Sequence, residues 1–194
     1  MAEAEVNTGK LVVIGGSSGS LQVIIHILGR LPKNYPIPLL LVVHRAYSTD
    51  SMLLDLLVLK SNIMVREVEE KDKISPSCVY LAPADYHVLI EKDETFTLDY
   101  SEKLNFSRPS IDVSFISAAM VYGKNLTGIL LSGANEDGAE GLKEIKKQGG
   151  HTIIQHPDEA VVNYMPLRAS HKSRIDEVLN TGEISHYLIS LIPA

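Results

Sequence analysis

Short runs of hydrophobic residues alternate along the chain with segments in which hydrophobic residues recur every three or four positions. Continuous runs are typical of strands that are buried on both faces of a parallel sheet. They lie at 11–14, 39–43, 126–131 and 152–154. A spacing of three or four predicts helices, and such segments cover 21–31, 53–60, 111–122, 139–148 and 184–191. The alternation predicts an α/β fold with three layers, in which a mostly parallel, doubly wound sheet carries helices on both faces.

A group of shorter strands interrupts this alternation in the middle of the chain. A strand is predicted at Ile63–Glu67. Three more short apolar runs follow at Val79–Leu81, Val88–Ile90 and Phe96–Leu98, and the last two flank a polar turn. Their spacing predicts a short antiparallel excursion at the edge of the sheet. Thr49 or Ser51 is the expected N-cap of the helix that precedes this region.

Composition and charge limit the classes of protein to consider. The chain has 194 residues, of which 45% are hydrophobic and 22% are charged, as is ordinary for a globular protein. We expect residues 1–9 to be a disordered leader and residues 10–194 to be one domain. A net charge of −6 with no basic block argues against nucleic-acid binding, which needs cations facing the phosphates.

Location and metal binding follow from what the sequence lacks. No apolar run approaches the ~20 residues that span a bilayer, and the polar N-terminus has no secretory signal. The single cysteine, Cys78, excludes an internal disulfide and favours the cytoplasm. We expect it to lie in the core. No Cys-x-x-Cys or His-x-x-x-His pair occurs, so we expect no metal site. Because the apolar runs are short, we also expect no membrane insertion.

The most informative motif is Gly15-Gly16-Ser17-Ser18-Gly19, directly after the first apolar run. Its Gly-x-Ser-x-Gly pattern is that of a nucleophile elbow, in which glycines make room for a serine in a tight strand-to-helix turn. The same turn suits a phosphate- or nucleotide-binding module, because free N–H groups at a helix N-terminus bind anions. The motif lacks a P-loop lysine, which weakens this alternative without removing it.

Three residues with the chemistry of a catalytic triad follow predicted strands. Ser17 follows the first strand, His44 ends the second, and Asp137 lies in the loop after 126–131. Because the carboxyl ends of parallel strands meet at one edge of a sheet, these side chains are expected to lie close together. The histidine would take the serine proton and the aspartate would orient the imidazole. Asp137 is also a plausible helix cap, and three other histidines are rival bases: His156, His87 and His151.

Several further segments carry a family resemblance in the right order. They are Ile14–Gly19, Val42-Val43-His44, Tyr80–Pro83 with His87, Arg108–Asp112, Leu131–Gly141, Gln155, and Met165-Pro166 with Arg168-Ala169. Together, from about residue 10 to 192, they resemble the catalytic domain of the chemotaxis protein-glutamate methylesterases, the CheB family. The resemblance implies hydrolysis of γ-glutamyl methyl esters on the methylated cytoplasmic helical domain of chemoreceptors, with release of methanol. It also implies deamidation of receptor glutamines.

The resemblance assigns a role to each site residue by position. Ser17 matches the nucleophile, His44 the general base and Asp137 the orienting carboxylate. The backbone N–H groups of Ser18 and Ala134 match the oxyanion hole. The resemblance implies no cofactor and no metal. Two other readings stay open, namely the phosphate- or nucleotide-binding module and a catalytically idle signalling scaffold.

The chain departs from the family pattern at several positions. These are Ser18 for threonine, Ser20 for glycine, Ala134 for methionine, Arg45 for an apolar residue and Tyr164 for glycine. Ser20 fits only if its φ is not strongly positive, and Arg45 and Tyr164 are expected to affect the choice of substrate. The family commonly carries a phosphoacceptor receiver domain, which nine residues cannot form. The chain is therefore expected to be a stand-alone esterase, or to work with a receiver domain on another chain or in a longer protein.

Overall fold

The structure, a computed structural model, describes residues 9–45 and 52–193. The leader, except for Gly9, and the expected caps Thr49 and Ser51 lie outside the described residues. The elements in chain order are β1 (Leu11–Gly16), α1 (Leu21–Arg30), β2 (Leu39–Val43), α2 (Met52–Lys60), β3 (Met64–Glu67), β4 (Cys78–Leu81), β5 (His87–Ile90), β6 (Phe96–Asp99), α3 (Ile111–Tyr122), a 3₁₀ turn (Gly123–Asn125), β7 (Leu126–Leu130), α4 (Ala139–Lys147), β8 (His151–Gln155), α5 (Tyr164–Lys172), β9 (Glu177–Leu179) and α6 (Thr181–Ser190).

A parallel sheet of seven strands organises the described part of the chain. Its order is β3-β4-β2-β1-β7-β8-β9, and the strand pairs are parallel throughout. The chain runs outward from β1 to β2 on one side and later returns to place β7 on the other side. This reversal opens a crevice at the carboxyl ends of β1, β2 and β7, where α/β proteins place their sites. The predicted doubly wound architecture is confirmed.

Two hydrophobic clusters cover the two faces of the sheet. Alternate residues of β1 divide between them, since Leu11 and Val13 belong to the cluster with α3, α4 and α5. Val12 and Ile14 belong to the cluster with α1, α2 and α6. Burial on both faces explains why the central strands are continuously apolar in the sequence. Cys78 is buried in the first cluster, as expected.

The predicted antiparallel excursion is wrong in one respect. Val79–Leu81 belongs to β4, which lies inside the main sheet and pairs in parallel with both β2 and β3. The antiparallel part consists of β5 and β6, which form a separate hairpin. All three strands are short and apolar, so the sequence pattern does not distinguish a strand inside the sheet from one in the hairpin.

Two elements were missed by the sequence analysis, α5 and β9. Helix α5 buries only Met165, Pro166 and Ala169, so its apolar pattern is too sparse to predict a helix. Pro166 lies in its first turn, where a missing N–H costs nothing. Strand β9 has three residues at the edge of the sheet, and its pairing with β8 defines it.

The described helices include no candidate membrane span. Within residues 9–45 and 52–193, none combines the length and the apolar character that a bilayer-spanning helix requires.

Candidate active site

The turn from β1 to α1 presents Ser17 at the crevice. Gly19 has a φ of +86°, and a Cβ built there would lie 2.6 Å from Cβ of Val161, so only glycine fits this position. Ser20 has a φ of −78°, which a serine adopts without strain. The Ser20 hydroxyl donates to the carbonyl of Ser17 at 2.7 Å. The turn is therefore closed by its own residues and leaves the Ser17 side chain partly exposed.

Two backbone N–H groups near Ser17 have no acceptor among the described residues. The Ser17 N–H itself donates to the Ser132 carbonyl at 2.9 Å, which joins this turn to the loop after β7. In that loop, a Cβ built on Gly133 would lie 3.1 Å from Cβ of Ser17, so the two segments touch. Among the described residues, the N–H groups of Ser18 and Ala134 donate to no acceptor. Such free donors are what an oxyanion hole requires.

His44 lies beside this turn and bonds to Asp137. The His44 N–H donates to the Gly16 carbonyl at 3.1 Å, extending the β1–β2 ladder by one residue. The imidazole Nε2 lies 2.7 Å from Oδ2 of Asp137, with the histidine side chain 10% exposed and the aspartate 0% exposed. Because a carboxylate only accepts hydrogen bonds, Nε2 carries the proton and Nδ1 is the basic nitrogen.

The Asp137 carboxylate is held by the N-terminus of α3. Its Oδ2 accepts from the N–H of Ile111 at 2.7 Å, and its Oδ1 accepts from the Ser110 hydroxyl at 2.9 Å and the Asp112 N–H at 3.0 Å. Burial alone would raise the pKa of Asp137. The hydrogen bonds from His44 and from the N–H groups of Asp112 and Ile111 hold this pKa below its ordinary value. Asp137 does not cap the helix that follows it, because the N-cap of α4 is Gly138.

A second carboxyl group, Asp112, shares this buried environment. Burial and the neighbouring charge of Asp137 raise the pKa of Asp112 to about 7. Its Oδ1 accepts from the N–H of Gly141 at 2.7 Å, which connects α3 to α4. The two environments are opposite in effect: Asp137 stays ionised beside His44, whereas Asp112 is easily protonated.

The basic nitrogen of His44 is in contact with Ser107. The Ser107 hydroxyl lies 3.2 Å from Nδ1 of His44, whereas the Ser17 hydroxyl has no hydrogen-bond partner among the described residues. Ser107 lies in a loop whose Leu104 and Ser107 form an isolated bridge. The structure thus brings His44 and Asp137 together as the sequence predicts, with Ser17 in the adjacent turn and Ser107 in the position that a nucleophile would occupy.

The rival histidines bond elsewhere. His87 is buried, accepts from the Ser110 N–H and lies 3.0 Å from the Glu102 carbonyl. It therefore helps to fix the segment that holds Asp137. His151 lies 2.8 Å from Glu177, and His156 accepts from the N–H of Asp158. In the part of the chain that the structure describes, no group of three metal-ligating side chains could hold an ion.

The loop that carries Ala134 and Asp137 is anchored at both ends. At its start, the N–H of Ser132 donates to the Gln155 amide oxygen at 2.9 Å, and its hydroxyl donates to the Ser18 carbonyl at 2.6 Å. At its end, the Glu136 carboxylate accepts from Arg168 at 3.1 Å and pairs with Lys172 at 3.5 Å. The hydrogen bond from Arg168 lowers the pKa of Glu136. These contacts hold the loop against the turn at Ser17.

Comparison with known proteins identifies the family. A family model described as CheB methylesterase matches residues 12–188. The chain belongs to the CheB methylesterase family. The crystal structure of the Thermotoga maritima CheB methylesterase catalytic domain superposes with a TM-score of 0.91 at 33% identity, covering 95% of this chain and 100% of that one. The resemblance found in the sequence is confirmed.

Curated relatives of the CheB family differ in length. A protein of Leptospira interrogans is 43% identical over 180 residues, which cover 93% of each chain. The Thermotoga maritima protein-glutamate methylesterase/protein-glutamine glutaminase is 33% identical over 188 residues, and the match covers 95% of this chain but 55% of that protein. The chain therefore spans nearly the whole of one relative and about half of another.

The departures from the CheB pattern lie near the site, and they leave Ser17, His44 and Asp137 unchanged. Tyr164 is the first residue of α5 and is 47% exposed. Next to it, Met165 is buried against Gly133. Arg45 directly follows His44 and pairs with Glu67. Tyr164 is thus exposed at the surface, and the Arg45 side chain is 19% exposed.

Three residues near the site were missed by the sequence analysis of function. The sequence pattern places Ser110 and Asp112 at the start of a helix and in a family segment, and it predicts no role for Ser107. Their roles depend on contacts across 25 to 63 positions of sequence. Ser110 is the N-cap of α3, and the free backbone N–H groups at a helix N-terminus bind anions, so the predicted start of this helix was the available signal.

Proposed function

We propose that this protein is a protein-glutamate methylesterase in which Ser17, His44 and Asp137 form the catalytic triad. Its substrate would be a γ-glutamyl methyl ester on the cytoplasmic helical domain of a chemoreceptor. Support comes from family membership and from the buried hydrogen bond of 2.7 Å between His44 and Asp137. That hydrogen bond is the single observation that carries the triad, because it fixes the imidazole proton on Nε2 and leaves Nδ1 basic.

The chemistry proceeds in two steps. The Ser17 oxygen attacks the ester carbonyl while its proton passes to Nδ1 of His44, and the resulting oxyanion is held by the N–H groups of Ser18 and Ala134. The tetrahedral intermediate collapses when His44 returns the proton to the methoxy oxygen, so methanol leaves. Water then attacks the acyl-serine in the same way, which restores Ser17 and yields a glutamyl carboxylate.

The buried carboxylate supplies charge stabilisation during both steps. His44 becomes a cation each time that it accepts a proton. The carboxylate that faces it, Asp137, is fully buried. Asp137 stays ionised because its pKa is lowered by hydrogen bonds from His44 and from the start of α3. Removing one donor of an oxyanion hole typically costs about 3–4 kcal/mol of transition-state stabilisation. The same machinery would deamidate a glutamine, with ammonia as the leaving group.

Ser17 is preferred over Ser107 as the nucleophile for a physical reason. Ser17 lies beside two N–H groups that have no described acceptor, whereas the Ser107 N–H is used by the Leu104 carbonyl in its own loop. The backbone N–H of Ser107 is therefore not available to an oxyanion, whereas the two N–H groups beside Ser17 are. Catalysis by Ser17 therefore requires the Ser107 hydroxyl to move away from Nδ1 of His44, so that this nitrogen can accept the proton of Ser17.

The test measures methanol release from a methylated chemoreceptor fragment. Ser17→Ala is expected to abolish release, and Ser107→Ala, the matched variant on the other side of the imidazole, is expected to retain it. Loss of release in Ser107→Ala with retention in Ser17→Ala would reverse the assignment. If the folded wild type releases neither methanol from a methylated receptor nor the leaving group of a generic activated ester, the esterase proposal fails.

Residues 10–194 are proposed to form the catalytic domain. Control by a receiver domain on another chain or in a longer protein is proposed from the resemblance alone. Addition of a phosphorylated receiver domain should change the rate of methanol release if this control exists.

A further inference from the structure

A charged cavity adjoins the basic nitrogen of His44. It has a volume of about 380 Å³, and His44 and Ser107 form one of its walls. The charged residues that line it are Arg45, Lys103, Arg108 and Asp85. Three cations and one carboxylate give a positive cavity in a chain whose net charge is −6. The cavity is therefore a local exception to the charge of the protein.

Arg108 is already committed to the protein. Its guanidinium donates to Asp85 at 2.7 Å and to the carbonyl of Ser101 at 2.6 Å, and it stacks over the Tyr100 ring at 3.8 Å. The hydrogen bond from Arg108 lowers the pKa of Asp85, so this carboxylate is ionised and balances the guanidinium. The pair shapes the cavity without leaving charge for a ligand.

The other two cations differ in what they offer a ligand. The Arg45 guanidinium donates to the Glu67 carboxylate and to the Ala82 carbonyl through Nη2, and among the described residues its buried Nε has no hydrogen-bond partner. Lys103 is exposed, and its ammonium makes no hydrogen bond or salt bridge within residues 9–45 and 52–193; its charge contributes to lowering the pKa of Asp85, after the larger effect of Arg108. An anion that enters the cavity would therefore face the ammonium of Lys103, while the guanidinium of Arg45 adds positive charge to the cavity wall.

We propose that this cavity binds a second carboxylate of the substrate, carried by an acidic side chain near the esterified glutamate. The inference rests on the proposed function. His44 belongs both to the reacting centre and to the cavity wall, so the two subsites are contiguous. Side chains three or four positions apart on a helix are about 5–6 Å apart at Cβ. A helical segment can therefore present an ester to Ser17 and a carboxylate to Lys103 and Arg45 together.

The experiment compares two helical peptides of equal length. Each carries one glutamyl γ-methyl ester, with either glutamate or glutamine four positions away. We expect wild-type kcat/KM for methanol release to favour the glutamate peptide by about three- to tenfold at low salt, with the ratio shrinking as salt is added. Lys103→Gln should bring the ratio towards one, and Lys103→Glu should invert it. Lys33→Gln, an exposed lysine outside the cavity, should keep the wild-type ratio.

A binding measurement separates this inference from the esterase proposal. The affinity of both peptides for Ser17→Ala protein is measured by fluorescence anisotropy, which needs no turnover. A tighter glutamate peptide, with the preference lost when Lys103→Glu is added, supports the subsite even if no methanol is released. Equal affinities overturn it, as does a preference that survives Lys103→Glu, even if both peptides are hydrolysed.

Discussion

Asp137→Asn tests the buried hydrogen-bond network at its centre. The carboxylate accepts four hydrogen bonds, two at each oxygen. An amide has only one accepting oxygen, so its NH₂ group must face a pair of donors. In one orientation it faces the Ile111 N–H and His44; in the other it faces the Asp112 N–H and the Ser110 hydroxyl. The imidazole can change tautomer and the hydroxyl can rotate, but either orientation leaves one backbone N–H without an acceptor.

The expected loss of stability follows from this count. One buried N–H without a partner costs about 1–3 kcal/mol, and the remaining hydrogen bonds lose the roughly twofold strength that a charged acceptor gives them. We expect the free energy of unfolding to fall by about 3 kcal/mol. At roughly 2–4 °C per kcal/mol for a chain of this size, Tm should fall by about 6–12 °C. Differential scanning calorimetry at pH 7 measures this change.

The catalytic loss has a separate cause. With the amide NH₂ towards His44, the imidazole must carry its proton on Nδ1 and can no longer accept the proton of Ser17. A wrong tautomer of this kind costs about 10⁴ in kcat in a serine triad, and the other amide orientation still loses the charge that stabilises the imidazolium. We therefore expect kcat for methanol release to fall by about 10²–10⁴.

Asp158→Asn is the matched control, because its side chain is 93% exposed. It should change neither Tm nor kcat. A Tm of Asp137→Asn within 2 °C of the wild type, a threshold below the roughly 2–4 °C that 1 kcal/mol would produce, would refute the hydrogen-bond reasoning. A lower Tm with an unchanged kcat would mean that Asp137 stabilises the N-terminus of α3 and takes no part in catalysis.

Two further predictions concern the contact between α3 and α4. The pKa of Asp112 is raised above its ordinary value of 3.8, so the folded state holds this proton longer and the contribution of Asp112 to stability falls as pH rises from about 4 to about 7. Asp112→Asn lacks this titration, so its Tm relative to the wild type should rise by roughly 5 °C between pH 5 and pH 8; a constant difference would contradict this. Gly141→Ala would place Cβ 2.5 Å from Cβ of Phe115, and we expect overpacking of about 1–3 kcal/mol to outweigh the helix-propensity gain of about 1 kcal/mol. Gly182→Ala, whose nearest neighbour is 3.4 Å away, should not destabilise the protein, and urea unfolding compares the two.

Local patterns in the sequence were sufficient for the central strands and for the proximity of His44 and Asp137. Strands β1, β2 and β7 are continuously apolar because helices cover both faces of the sheet. A parallel sheet aligns its carboxyl ends, so residues that follow these strands must converge. That rule brought His44 and Asp137 together in the prediction, and the motif at Gly15–Gly19 is informative because its turn requires glycine at 19.

Pairing and side-chain contacts were decided only by the tertiary structure. Strand β4 lies inside the sheet rather than in the hairpin, because hydrogen bonding to β2 and β3 selects its place and no local pattern encodes those partners. Asp137 binds the N-terminus of α3, which precedes it by about 26 positions, so the alternative that it caps the following helix is wrong. The contact of Ser107 with His44 and the positive cavity beside it join residues that are far apart in the chain. Such contacts depend on distance in space, and hydrophobic periodicity carries no information about that distance.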